Sequence, residues 1–236
     1  HTYVLLHVHR AFGLSPVLLA LSLLVCVGGV AGPVAALICD RRGLLALARV
    51  VAPAAFVWMG YVLLLVIALV GLDFLRLGAG ALYFAGFGAP AEWLGGPEAA
   101  AVCLVVAGIA AAYGWFEAQN LRIERVRIET DRLPPNLPVL RILQMSDVHV
   151  GFMNVFRRVK RLVRCIHELR PDVIVSTGDF VDSRSGLGSD LLRLFKELRA
   201  PLGKFAVLGN HEVYVGQPAV AFIEGGGFRE LVCNPS

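Results

Sequence analysis

Charge is what this sequence has least of. Only 17% of its 236 residues are Asp, Glu, Lys or Arg, while 57% are hydrophobic. Residues 1–120 hold just five basic side chains (Arg10, Arg41, Arg42, Arg49, Arg76) and five acidic ones (Asp40, Asp73, Glu92, Glu98, Glu117), and residues 11–39 hold none. That half cannot clothe an ordinary soluble domain, whose residues are about one quarter charged. Cysteine pairs are lacking too: none of Cys26, Cys39, Cys103, Cys165 and Cys233 stands in a C-x-x-C pattern. A disulfide framework is thereby excluded, and buried free thiols are expected. There is no P-loop, no G-x-S-x-G elbow and no zinc-finger spacing. No basic run is interleaved with aromatics, so nucleic acid is not an expected partner. The start, "HTYVLLHVHR", has neither an initiator Met nor a signal-peptide layout. With the abrupt end "LVCNPS", this reads as a fragment cut at both ends.

What is present falls into two physical regimes. Residues 11–39, 50–72 and 99–116 are uncharged runs near the roughly 20 apolar residues that cross a bilayer. Trp58, Trp93, Trp115, Tyr61 and Tyr113 lie near run ends or connectors, as an interfacial aromatic belt would place them. Residues 73–98 are apolar but Gly-rich and interrupted by Arg76, Pro90 and Glu92, and are expected to form an interfacial or re-entrant connector, with a short fourth span as the alternative. Residues 1–120 are thus read as a multi-pass transmembrane region, in the cell membrane. Arg41, Arg42 and Arg49 between the first two spans point to the cytoplasmic side. Three spans would then put the second half in the cytoplasm as well, and one span more would reverse this.

Residues 121–236 carry the other 17 basic and 13 acidic residues, and with them the whole net charge of +4. Residues 121–129, "LRIERVRIE", alternate as a half-buried strand does. Residues 139–145, 172–179 and 204–212 are apolar strand runs with polar endings, and a further strand is expected near 228–233. Residues 154–170 form an amphipathic helix with Asn154 as its N-cap. Residues 189–199 form a second helix, and 219–224 a weaker one. Strand alternating with helix is the pattern of a mainly parallel sheet, in which ligands gather at the carboxyl ends of the strands.

Three strands end in polar signatures: "SDVHVG" (146–151), "STGDFVD" (176–182) and "LGNHEVY" (208–214). Each alone reads as a turn before it reads as a site. The sheet brings all three to one edge, where Asp147, His149 and Asp179 offer the carboxylates and imidazole that suit Mn, Fe or Zn. On extended backbone Asp147 and His149 would point to the same side. Asp179 could bridge two ions, and the Asn210 amide oxygen could bind the second without adding negative charge. Two ions about 3.5–4 Å apart polarise a phosphoryl group and supply a hydroxide nucleophile near neutral pH. His211 could then serve as general acid or charge stabiliser at the leaving oxygen. Glu212 and Asp182 are read as supporting groups, Tyr214 as half-buried packing, and His167 as a helix-end residue.

The order "DVH…GDFVD…GNHE" resembles the calcineurin-like metallophosphoesterase superfamily, and the apolar first half resembles its bacterial membrane-anchored branch. The resemblance implies N-terminal transmembrane helices followed by an α/β metallophosphoesterase domain, a two-sheet α/β sandwich incomplete here, over residues 121–236. It also implies two divalent metal ions held by Asp147 and His149, by bridging Asp179 and by Asn210, with His211 assisting catalysis. The family's later lone His and G-H-x-H block have no counterpart, since no histidine follows His211. The fragment by itself is therefore expected to be inactive. The reading is a membrane-anchored, metal-dependent phosphoesterase acting on a phosphomonoester or phosphodiester, with a lipid-linked substrate as one candidate. The alternative is an inactive domain of this kind serving as a membrane-tethered binding or scaffold module. The helix at 154–170 carries Arg157, Arg158, Lys160, Arg161 and Arg164, either a solvated face or one that rests on anionic headgroups.

Overall fold

A computed structural model describes residues 1–88, 92–151, 155–184 and 187–231. By contact the chain divides into two compact units, His1–Ala35 with Val51–Asn120, and Ala36–Val50 with Leu121–Ser236.

The first unit is helical. It contains α1 (Thr2–Phe12), most of α2 (Pro16–Arg41) and of α3 (Leu45–Phe84), a 3-10 turn (Glu92–Gly95) and α4 (Pro97–Glu117). Three of these, α2, α3 and α4, are long and apolar enough to cross a membrane. At 1.5 Å per residue α3 is about 60 Å long, roughly twice the hydrocarbon thickness of a bilayer. It runs straight through Asp73 and Arg76, where a connector was expected. The charges are satisfied locally: the Arg76 guanidinium meets Asp73 Oδ1 at 3.0 Å, one turn away, and Arg76 Nε donates to the Leu94 carbonyl at 2.7 Å. Tyr3 Oη donates to Asp73 Oδ2 at 2.6 Å, and His7 Nε2 lies 3.1 Å from the same carboxylate. A helix interior tolerates polar groups that find partners this close.

The second unit is a four-stranded, all-parallel sheet in the order β1 (Ile142–Met145), β2 (Val173–Ser176), β3 (Lys204–Ala206), β4 (Arg229–Glu230). The crossovers are α5 (Val155–Leu169), α6 (Ser189–Lys196), and the pair α7 (Asn210–Val215) and α8 (Gln217–Gly225). Val159, Val163 and Ile166 of α5 recur at helical spacing and are buried, as are Leu191 and Phe195 of α6 and Phe222 and Ile223 of α8. They meet Met145, Ile174 and Ala206 of the strands in one core. On the other face of β1, Ile142 and Gln144 stay exposed. Phe180 is 1% exposed, and its ring centroid lies 4.7 Å from Phe195 and 5.4 Å from Phe228. The Lys204 ammonium donates to the carbonyls of Phe195 (2.9 Å) and Gly226 (2.7 Å), tying the ends of α6 and α8, and burial lowers its pKa below the usual lysine value.

Several expectations are corrected. Residues 121–129 form no strand: among the described residues no sheet partner flanks them, and Val126 and Ile128 are exposed. Alternation marks a half-buried strand only where a ladder and a core exist to receive it. After β3 the chain does not stay a loop but enters α7 at Asn210. Segment 36–50 clusters with the sheet-bearing unit, where the buried Asp40 carboxylate accepts the Arg184 N–H at 3.0 Å. The expected cap at Asn154 and the strand end at Cys233 lie outside the described residues.

One side chain binds the strand tips together. Glu212, third in α7 and 1% exposed, turns its carboxylate back toward the sheet. Its Oε2 accepts the N–H of Gly209 (2.7 Å) and of Asp179 (3.0 Å), and its Oε1 that of Val181 (2.7 Å). The Gly209 bond is half of a capping box, and the other two reach across to the loop after β2.

Two stability predictions follow from this packing. Phe180→Ala should cost about 3–5 kcal/mol through the cavity it opens, measured by chemical denaturation of the detergent-solubilised chain. Glu212→Gln turns one acceptor oxygen into a donor facing backbone N–H groups and should cost about 2–4 kcal/mol. Hydrogen exchange at the amides of Asp179, Val181 and Gly209 should speed up together, and unchanged protection there would refute the bracing role.

Candidate metal centre

The parallel register places the carboxyl ends of β1, β2 and β3 side by side, and the first residues beyond each tip are the polar ones. Backbone bonds continue past the strands and lock the tips: Asp147 N–H donates to Gly178 O (3.2 Å), His149 N–H to Asp179 O (3.0 Å) and Val150 N–H to Phe180 O (2.8 Å). Val150 and Val181, both fully buried, form a further parallel bridge.

The local backbone is not the extended one expected for a D-x-H pair. Asp147 (φ 54°), His149 (φ 48°) and Asp179 (φ 51°) all adopt left-handed conformations. These cost non-glycine residues free energy, though Asp and His bear it better than most. Three in one cluster is the kind of strain found where side chains are aimed for function. Gly178 (φ 109°) and Gly209 allow the second and third tips to touch, since a Cβ on Gly178 would meet Gly209 Cα at 3.1 Å. A Cβ on Gly209 would in turn collide with the Asp179 carboxylate.

The structure brings together one donor atom each from His149, Asp179 and His211, all within 4.8 Å of one another and half-buried. The two imidazoles meet edge to face with centroids 4.7 Å apart. Asp179 Oδ1 accepts the His211 N–H at 3.1 Å, fixing the start of α7 against the second tip. Asp147 stands at the rim, exposed, with Oδ1 3.6 Å from His149 Nε2 and Oδ2 accepting the Ser146 hydroxyl at 2.6 Å. Asn210 opens α7 and is exposed beside His211. Asp182 Oδ2 lies 4.0 Å from His149 Nδ1, on the side away from Asp147, in keeping with a group that orients the ring. Tyr214 is 71% exposed, with its ring 6.0 Å from His211, and does not pack as expected. His167 sits exposed on α5, away from the strand tips.

The donor set fits a divalent transition ion: two imidazoles and a carboxylate with an open side are a familiar ligand group for such metals. The sequence pattern assigns His211 to proton transfer and leaves it out of the ligand set. The signal for its nearness to His149 was its place directly after the β3 tip, on the first turn of an unexpected helix.

Comparison with known proteins agrees with this geometry. Residues 140–233 match the family described as Calcineurin-like phosphoesterase. A metallophosphoesterase of Aquifex aeolicus is 40% identical over 129 residues, 54% of this chain and 49% of that protein. A transmembrane protein with metallophosphoesterase domain from Danio rerio is 31% identical over 114 residues, 48% of this chain and 26% of that protein. The UDP-2,3-diacylglucosamine pyrophosphatase of Chlamydia trachomatis is 38% identical over 98 residues, 41% of this chain and 30% of that protein. The chain thus matches about half, or less, of the length of these relatives. No solved structure matches. The family match over residues 140–233, the parallel sheet and the strand-tip cluster agree with one another, and among the described residues three long apolar helices precede them in the chain.

Proposed function

We propose that this chain is the anchored part of a metal-dependent phosphoesterase of the cell membrane, with residues 1–120 as the multi-pass region and 121–236 as the opening part of the hydrolase domain. The observation that carries the reading is the convergence of His149, Asp179 and His211 at the edge where parallel sheets collect ligands. In this reading Asp147 and His149 would hold one divalent ion and Asn210 a second, with Asp179 shared between the two. Bound ions would supply Lewis-acid polarisation of the phosphoryl group and activation of water. His211 faces the leaving oxygen and gives it a proton, while Asp182 holds the His149 ring in position. Glu212 and the Gly178–Gly209 contact keep the second and third tips in register.

The substrate is proposed to be a phosphomonoester or phosphodiester, and membrane attachment favours a lipid-linked one. The Chlamydia relative, by its name, acts on the pyrophosphate of a diacylated sugar nucleotide, a lipid-linked phosphate cleaved at an anhydride and not at an ester.

The test uses the full-length protein, because the lone His and G-H-x-H of the resemblance are not among these 236 residues. Hydrolysis of p-nitrophenyl phosphate or bis-p-nitrophenyl phosphate should vanish with a chelator and return with Mn²⁺. His211→Ala should lower kcat about 10²–10⁴-fold, the usual worth of a positioned proton donor. Asp179→Ala should abolish both turnover and Mn²⁺ uptake. Activity that survives both substitutions would overturn the mechanism. Uptake of Mn²⁺ by wild type without turnover of either ester would favour the scaffold alternative.

A further inference from the structure

The amphipathic helix α5 buries Val159, Val163 and Ile166 against the sheet. On the opposite side Arg157, Arg161 and Arg164 fall in line, flanked by Arg158 and Lys160, and all five are exposed. Among the described residues, Arg157, Arg158, Lys160 and Arg164 have no carboxylate within ion-pair distance. The acids that could neutralise the helix are nearly missing from it: Glu168 is its one carboxylate. Phe156, 42% exposed, lies at the start of the same helix with the Lys160 ammonium 4.5 Å from its ring centroid. Beyond the other end, an open cleft of about 850 Å³ is lined by four cations, Arg141, Arg170, Lys196 and Arg199, against two acids, Asp172 and Glu197.

A solvated helix face usually mixes both signs, because unbalanced cations repel one another. Arg157, Arg158, Lys160 and Arg164 are balanced by no carboxylate among the described residues, so the counter-charge for these four is external. The chain also limits what that counter-charge is. The last apolar helix ends at Glu117 and the first strand starts at Ile142. A link over residues 118–141 reaches at most on the order of 80 Å. The domain is therefore held at a high effective concentration of lipid headgroups, and contacts too weak to recruit a free protein suffice to orient a tethered one.

We infer that the cationic face of α5 docks on anionic phospholipid headgroups of the membrane its own chain enters. Phe156 supplies the apolar contact at the interface and the arginines supply the phosphate contacts. The residues before α5 include Asp147 and His149, so a seated helix fixes the height of the metal edge above the headgroups. The inference rests on the membrane attachment in the proposed function and not on the metal chemistry, and the two fail separately.

The test is an arginine footprint with phenylglyoxal, read by mass spectrometry on the whole chain reconstituted in nanodiscs. Arg157, Arg158 and Arg164 should react several-fold more slowly in phosphatidylcholine discs containing phosphatidylglycerol than in pure phosphatidylcholine. Added salt should erase the difference, because exposed charges are screened within about 10 Å at 0.1 M ionic strength. Each cation removed should weaken docking about fivefold, the equivalent of about 1 kcal/mol. Thus R158Q/R164Q should leave Arg157 equally reactive in both discs, while R158K/R164K should keep it protected. An unchanged circular dichroism spectrum and thermal midpoint show that either variant is folded. Equal reactivity of the wild type in both discs, or slowing that extends equally to Arg229, would overturn the inference, and an acidic protein partner would give the first of these results.

Discussion

Three backbone N–H groups from two different loops end on a single buried carboxylate, that of Glu212, and the candidate metal centre is organised around that point. Removing a carboxylate from water costs several kcal/mol unless charge-assisted hydrogen bonds replace the lost hydration. Here they do, and the donors are ones that would otherwise be stranded, because they lie past the last ladder bonds of β2 and at the unsatisfied start of α7. The arrangement is available only because parallel strands deliver their carboxyl ends to one edge. Glu212 therefore registers the second tip against the third, and with them Asp179 against His211.

The first tip is held by a different device. Its bonds to Gly178, Asp179 and Phe180 prolong the β1–β2 pairing beyond regular strand geometry. Asp147 and His149 keep this pairing while turning left-handed, at a cost on the order of 1–3 kcal/mol for each strained residue. The anchors that offset it are apolar: Val150 and Val181 are fully buried and Phe180 sits in an aromatic cluster. Alternate residues of the tip thus do opposite work, one set gripping the core and the other presenting ligands. This is why "SDVHVG" and "GDFVD" interleave polar and apolar residues instead of being uniformly polar, as a plain turn would be.

Much of this was legible in the sequence, and the limits have physical causes. The three apolar runs, the strongly periodic α5 and the strands that feed the tips declare themselves through burial patterns that local composition fixes. Residues 121–129 carry an equally clear pattern but no strand, because a strand requires a partner and periodicity cannot supply one. The passage of α3 through Asp73 and Arg76 was hidden because compensation came from Tyr3, His7 and Leu94, distant in sequence. The left-handed backbone at Asp147 and His149 was hidden for a related reason: only the neighbouring tip makes it worth its strain. The closeness of His211 to His149 depended on α7, whose start is set by Glu212 folding back on Gly209. The identity of the candidate ligands was thus readable from residue type and strand order. Their geometry depended on non-local bonds.

The same contrast governs the charges. In the helical unit a carboxylate in apolar surroundings is stable only with partners, and Asp73 has three of them. Burying such a charge without partners would cost far more than its hydrogen bonds return. In the sheet-bearing unit water removes that constraint, and Arg157, Arg158 and Arg164 stand without carboxylate partners among the described residues at little cost to folding. Residues left unpaired where pairing is optional do not stabilise the fold, yet they set the field outside it. A chain that places its entire net charge of +4 in this half turns a field that attracts anions outward from it, which is what the proposed phosphate-ester substrate and the proposed headgroup docking both require. On the proposed reading the apolar half confines the domain to a membrane surface, where lipid-linked phosphates and headgroups are concentrated together.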